Sequence, residues 1–114
     1  MDALEMTLLF DYYGELLTER QRQCFDLHYN QDLSLSEIAQ ELKVSRQGVY
    51  DNISRAEALL RNMEEKTGCV RRDRDLRNAE TVILEAAQGL LQHPDQEVSG
   101  SAKRIIDAVQ GLEE

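Results

Sequence analysis

Along nearly the whole of this chain, apolar residues return every third or fourth position, and no stretch alternates apolar with polar residues long enough to specify a strand. A period near 3.6 is the spacing of one helix face, so the chain is expected to be all-α. Punctuation agrees: one proline and six glycines in 114 residues are too few for the turns of a many-stranded sandwich or barrel. With 41% hydrophobic and 31% charged residues, there is enough apolar material to close a core, and disorder over the whole length is excluded.

Leu4, Leu8, Tyr12 and Leu16 step by four and are read as the buried face of a first helix. Phe10, Tyr12 and Tyr13 are expected in the core rather than as a stacking platform. Thr18 and Gln21 have the spacing of a capping box, in which hydroxyl and amide each satisfy a backbone N–H at a helix start. The helix that follows turns Cys24, Leu27 and His28 fully or partly inward, and Asn30-Gln31-Asp32 is a turn by composition. Ser34 and Glu37 form a second capping box, opening a short helix with Ile38, Ala39 and Leu42 on its apolar side. Lys43-Val44 leaves room only for a tight turn, and Ser45 is placed to cap the next helix. There Val49, Ile53, Ala56, Leu60 and Met63 step by four and three, a narrow seam. This helix is expected to end near Thr67-Gly68, where glycine can take the left-handed cap conformation. Cys69 to Asp75 reads as a charged, solvated connection with local ion pairs. Leu76, Ala79, Ile83, Ala86 and Leu90 form another seam, His93-Pro94-Asp95 breaks the chain, and Val98, Ala102, Ile105, Val109 and Leu112 mark a last amphipathic helix. About six helices result, with a module over residues 1–67 and a helical extension over 69–114 used for packing or dimerisation.

Residues 34–55, SLSEIAQELKVSRQGVYDNISR, have helix-turn-helix logic. Such a pair needs a small residue where the helices cross, and Ala39 is there. It needs apolar contacts from both helices and the turn, supplied by Ile38, Leu42, Val44, Val49 and Ile53. It needs a cap on the second helix, and Ser45 is available. The second helix can then enter a major groove N-terminus first. With Val49, Ile53 and Ala56 inward, the outward residues of its first two turns are Arg46, Gln47, Tyr50, Asp51 and Ser54.

The stretch LTERQRQCFDLHYNQDLSLSEIAQELKVSRQGVYDNISRAEALL resembles the C-terminal promoter-reading module of bacterial sigma factors. More closely, FDYYGELLT, LSLSEIA and VSRQGVYDNISRAE are similar to the YlxM family, small bacterial helix-turn-helix proteins encoded beside the signal recognition particle genes. The resemblance covers about residues 4 to 67. It implies a sigma-factor-like bundle without a wing and a regulatory role, with the signal recognition particle pathway as the alternative setting. The sigma likeness places Arg46, Gln47, Tyr50 and Asp51 on the face toward the major groove. Arginine can bind guanine bidentately, glutamine can pair with adenine, and Asp51 could accept from cytosine while being repelled by phosphate. Lys43, Ser45 and Arg55 are candidates for phosphate contacts. Two positions depart from the pattern: Lys43 stands where the turn usually has glycine, at roughly 1 kcal/mol if φ is positive there. Gly48 lies inside the second helix, costing about 1 kcal/mol against alanine, with room for another backbone to approach.

Charge tempers this expectation. The net charge is −9, so grip on a polyanion by bulk charge is excluded. Residues 1–33 carry two basic and seven acidic side chains, 34–70 five and six, and 71–114 six and nine. The motif is the least acidic part, so duplex DNA binding is expected to be weak per monomer, salt-sensitive and helped by a homodimer. The rival readings are an adaptor for signal recognition particle RNA or protein, and a helical module that contacts only protein. The run Arg71, Arg72, Arg74 and Arg77 is interleaved by Asp73 and Asp75 and is read as a solvated stretch rather than an RNA or lipid site.

No apolar run reaches about 18 residues, and Met1 leads into acidic residues, so neither a membrane span nor a secretory signal is expected. Cys24 and Cys69 lie 45 positions apart without a CxxC pair, as in reduced cytoplasmic proteins. Cys24 is read as a small buried hydrophobe; Cys69 sits beside basic residues that could lower its pKa but is not expected in a redox role, and His28 and His93 have no spaced metal partners. With no glycine-rich phosphate loop, H-E-x-x-H or G-x-S-x-G, no enzymatic activity, cofactor or metal is expected.

Overall fold

In the computed structural model, which describes residues 2–112, six α-helices account for nearly all of the chain, and no strand occurs among the described residues. They are α1 (Ala3–Tyr13), α2 (Glu19–Tyr29), α3 (Leu35–Leu42), α4 (Arg46–Thr67), α5 (Cys69–Leu90) and α6 (Gln96–Gly111), with one 3-10 turn at Gly14–Leu16. The chain divides into two compact units, residues 1–70 and 71–114.

Local chemistry sets the helix starts. Thr18 and Gln21 form the expected reciprocal capping box on α2, and Ser34 and Glu37 form the second on α3. Ser45 caps α4, and Asp2 and Asp95 cap α1 and α6. Gly68, at φ 64°, takes the left-handed conformation that ends α4.

In the first unit α4 is the central rod. Its buried residues Val49, Ile53, Ala56 and Leu60 face two clusters. One holds Met6, Leu9, Tyr13, Leu17 and Phe25 with Ala56 and Leu60; the other holds Cys24 and Ile38 with Val49 and Ile53. Phe25 stacks on Phe10 at 4.6 Å and on Tyr29 at 4.3 Å between ring centroids. Full burial of side chains of this size supplies about 1.5–3 kcal/mol each.

The buried face of α1 differs from the expected one. Met6, Leu9 and Tyr13 are buried, whereas Leu4, Tyr12 and Leu16 are exposed and Leu8 is half-buried. Steps of four overshoot the 3.6 period by about 40° each, so that row winds away from the core; steps of three and four hold one face. Of the three aromatic residues expected in the core, Tyr13 is buried, Phe10 is packed against the cluster, and Tyr12 is exposed.

The region Cys69 to Asp75 is helix, not a connection. Gly68 caps α4 and α5 begins at the next residue, with Cys69 and Val70 packed against the first core cluster. Its charges suit a helix surface: Arg77 Nε lies 3.1 Å from Asp73 Oδ2, one turn away. In the second unit, Ala87 of α5 and Ala102, Ile106 and Val109 of α6 are the buried residues. A groove lined by Asp73, Leu76, Arg77, Glu80, Thr81 and Leu112 sets the end of α6 beside the first half of α5, so the two helices run antiparallel. On α6 Ile106 is buried and Ile105 is exposed, the reverse of the expected stripe, and Leu112 is exposed. The α5 seam, expected either to pack within the chain or to form a dimer interface, is open to solvent at Leu76, Ala79, Ile83, Ala86 and Leu90.

Candidate nucleic-acid interface

The turn between α3 and α4 fixes how α4 is presented. Lys43 sits at φ 58°, ψ 46°, the left-handed conformation, and its N–H bonds the Ala39 carbonyl. The Val44 N–H reaches the same carbonyl at 3.0 Å. Two donors on one acceptor close α3 abruptly, and the chain turns into α4 with no room for a longer loop. A lysine there costs roughly 1 kcal/mol against glycine. Ala39 packs against the cluster formed by Cys24, Ile38, Val49 and Ile53, so the crossing of the two helices is built on a small residue.

Ser45 Oγ accepts the Gly48 N–H at 2.9 Å. A Cβ added at Gly48 would come within 3.0 Å of that same Ser45 Oγ. The missing side chain therefore makes room for the helix's own cap, not for another backbone.

The expected outward residues sit as follows. Lys43, Ser45, Arg46, Gln47, Tyr50, Asp51 and Arg55 are exposed, and Ser54 is half-buried. Arg46, Gln47 and Tyr50 come together around a shallow pocket whose remaining wall is Leu35, at the start of α3. Leu35 escapes a sequence reading because it looks like one more apolar helix position. Gln47 Nε2 donates to Asp51 Oδ1 at 3.0 Å, so these two side chains hold each other at rest. Asn52 Nδ2 instead turns back to the Gly48 carbonyl at 2.8 Å.

Helix starts in the first unit differ in charge. The first turns of α1, α2 and α3 carry Glu5, Glu19 and Glu37, whereas those of α4 and α5 have no acidic residue, and α4 begins with Arg46. Acids at a helix start offset the positive end of its dipole; α4 leaves that end open to an outside anion. Hydrogen bonds to the Ser34 backbone and hydroxyl hold the Glu37 carboxyl below its ordinary value, which fixes that charge at the start of α3.

Two tyrosines brace α4 from behind, and neither brace is visible in the sequence because the partners are distant. Tyr29 OH donates to Glu57 Oε2 at 2.5 Å, and Tyr13 OH donates to Glu64 Oε1 at 2.7 Å. Glu64 Oε1 also accepts the Val70 N–H at 3.0 Å, tying the α4–α5 junction. Burial, then the bond to Glu57, pushes the Tyr29 hydroxyl up to about 12; burial likewise raises Tyr13. Two of the region's six acids thus serve the core side of α4. Burial also raises the Cys24 thiol, as suits an inert core position.

Among the described residues no group of three His, Cys, Asp or Glu side chains could hold a metal ion. His28 Nδ1 lies 3.2 Å from the Leu33 carbonyl, and His93 Nδ1 accepts the Asp95 N–H at 3.1 Å, so both histidines brace turns. No helix among the described residues is long and apolar enough to cross a membrane.

Comparison with known proteins agrees with this architecture. Residues 1–97 match the model of the UPF0122 family, described as "Putative helix-turn-helix protein, YlxM / p13 like". A UPF0122 protein of Acetivibrio thermocellus is 41% identical over 111 residues, covering 96% of this chain and 95% of that protein. One from Bacillus cereus is 40% identical over 108 residues, covering 95% and 94%. One from Thermoanaerobacter sp. strain X514 is 52% identical over 77 residues, covering 68% and 66%.

Proposed function

Because this chain belongs to the UPF0122 family of helix-turn-helix proteins, and because its α4 opens on Arg46 with no acid in the first turn, we propose that it binds duplex DNA through that helix start. The start of α4, where Arg46 stands in a first turn without acids while the first turns of α1, α2 and α3 each carry a glutamate, is the observation that carries this reading. Arg46, Gln47 and Tyr50 read base edges, with Gln47 exchanging its bond to Asp51 for one to a base. Lys43, Ser45 and Arg55 meet phosphates, and Ser54 contributes from the edge. The module over residues 1–67 does the binding, in the manner of the sigma-factor promoter reader, and the extension over 69–114 pairs two copies. The protein acts in the cytoplasm as a regulator, without catalysis and without insertion into a membrane.

With five basic and six acidic residues over 34–70, each copy makes few phosphate contacts. Affinity per copy is low and falls as salt rises, by about 0.9 in log–log slope for each phosphate neutralised. The test is recovery of bound nucleic acid from lysate with and without nuclease, beside Arg46→Ala/Gln47→Ala. DNA fragments enriched by the natural chain and lost in the double variant, at unchanged helicity, support the reading. Co-elution with signal recognition particle RNA or its GTPase, indifferent to that variant, establishes the adaptor instead. A protein partner that survives nuclease without either would replace both.

A further inference from the structure

The geometry points to α5 as the surface on which two copies of this chain pair, antiparallel, through the seam Leu76, Ala79, Ile83, Ala86 and Leu90. This rests on the pairing of copies proposed above and gives it a place. Leu76, Ile83 and Leu90 are 57%, 43% and 44% exposed, and Val82 beside them is 66% exposed. The α5 side chains that turn inward, Ala87 and in part Leu84, lie on a neighbouring face. The helix therefore has two apolar faces, one of them open, and a contiguous open apolar face is an interaction surface by default.

Self-complementarity selects a second copy as the occupant. The seam keeps a strict seven-residue repeat, with large residues at one position (Leu76, Ile83, Leu90) and alanine at the other (Ala79, Ala86). In an antiparallel pair the first row of one helix faces the second row of the other. Each inner layer then sets a leucine or isoleucine against an alanine, the large-against-small filling that packs without voids. A two-fold axis near the middle of α5 generates this contact from one surface, as an isologous dimer requires.

Charge selects the orientation. Residues 71–77 carry four arginines and two aspartates, whereas 85–91 carry Glu85 with no Lys or Arg. An antiparallel pair with its axis near mid-helix lays the first stretch of one copy opposite the second stretch of the other. A parallel pair would set Arg71 and Arg72 against their own copies. Exposed ion pairs add little affinity, but like-charge contacts are rejected, so the charges fix direction while apolar burial supplies the hold.

Sedimentation of the full chain, free of nucleic acid, tests the placement. The natural chain is expected to be a dimer, and Ile83→Glu a monomer at concentrations at least tenfold higher, with unchanged helical circular dichroism because Ile83 is half-exposed in the single copy. Spin labels test direction. In a Cys69→Ser background, the separation between copies labelled at Thr81→Cys should be shorter than at Arg74→Cys by on the order of 10 Å, from seven residues of helix rise on each side. A natural chain that stays monomeric overturns both this inference and the pairing proposed above. A dimer indifferent to Ile83→Glu overturns the placement alone, and equal label separations overturn the antiparallel direction.

Discussion

Helix α4 and helix α5 carry almost the same pattern and are used in opposite ways. Each is 22 residues long, and each bears a three-four apolar seam. On α4 that seam is the core: Val49, Ala56 and Leu60 are fully enclosed and Ile53 nearly so. On α5 the seam faces solvent. The difference lies in the rest of the chain. Helices α1, α2 and α3 supply Met6, Leu9, Phe25, Cys24 and Ile38 to cover α4, whereas the second unit offers α5 only α6, which covers the Ala87 face. A periodic apolar stripe specifies that a helix has something to bury. It does not specify what does the burying.

The sharpest way to break this comparison is to empty both seams. Leu60→Ala should cost about 2–5 kcal/mol in denaturant unfolding, since a fully buried leucine leaves a cavity. Ile83→Ala, measured at concentrations where the chain is a single copy, should fall within about 0.5 kcal/mol of the natural protein, as surface changes do. Comparable losses at the two sites would mean that α5 is covered within one copy after all.

High pH should separate the two units next. All four tyrosines lie in the first unit. Tyr29 is raised to about 12 and Tyr13 is raised from 10.0. A raised value means that the fold favours the neutral hydroxyl. The stability this contributes is complete below pH 10 and is lost as pH climbs toward 12. Amide exchange should therefore show α2 and α4 loosening over that window before α6 does. Tyr29→Phe should remove much of the pH dependence, because no hydroxyl remains there to ionise.

Smaller effects belong to the turn. Ser45→Ala should cost about 1 kcal/mol through the lost cap. Lys43→Gly should gain about 0.5 kcal/mol by relieving the left-handed lysine, less the freedom glycine adds to the unfolded chain. Gly48→Ala should be near neutral in thermal unfolding, because better helix propensity is offset by crowding of Ser45 Oγ.

Where local chemistry decides structure, the residues announced it. Both capping boxes, the Ser45 cap, the Gly68 stop and the α4 seam are specified by residues within a turn or two of one another. Where the outcome depends on which face meets the remainder of the chain, the residues misled. Leu4, Leu8, Tyr12 and Leu16 look like a face only if 3.6 is rounded to four. Arg71 to Asp75 look like a linker because charge suggests solvent, yet charged residues are good helix formers and solvent lies along every surface helix. At the candidate interface, the identity of the exposed tip followed from the inward positions Val49, Ile53 and Ala56. The Leu35 wall, the Gln47–Asp51 bond and the Tyr29–Glu57 brace depend on side-chain placement that spacing does not encode.

The central claim, that the start of α4 is the surface that meets duplex DNA, is tested most directly by amide chemical-shift mapping of the full chain titrated with a mixed-sequence duplex at low salt. Shifts concentrated over Lys43 to Arg55, fading as salt is raised and absent in Arg46→Ala, are the predicted result. Shifts confined to residues 71–112, or none at any salt, would contradict it.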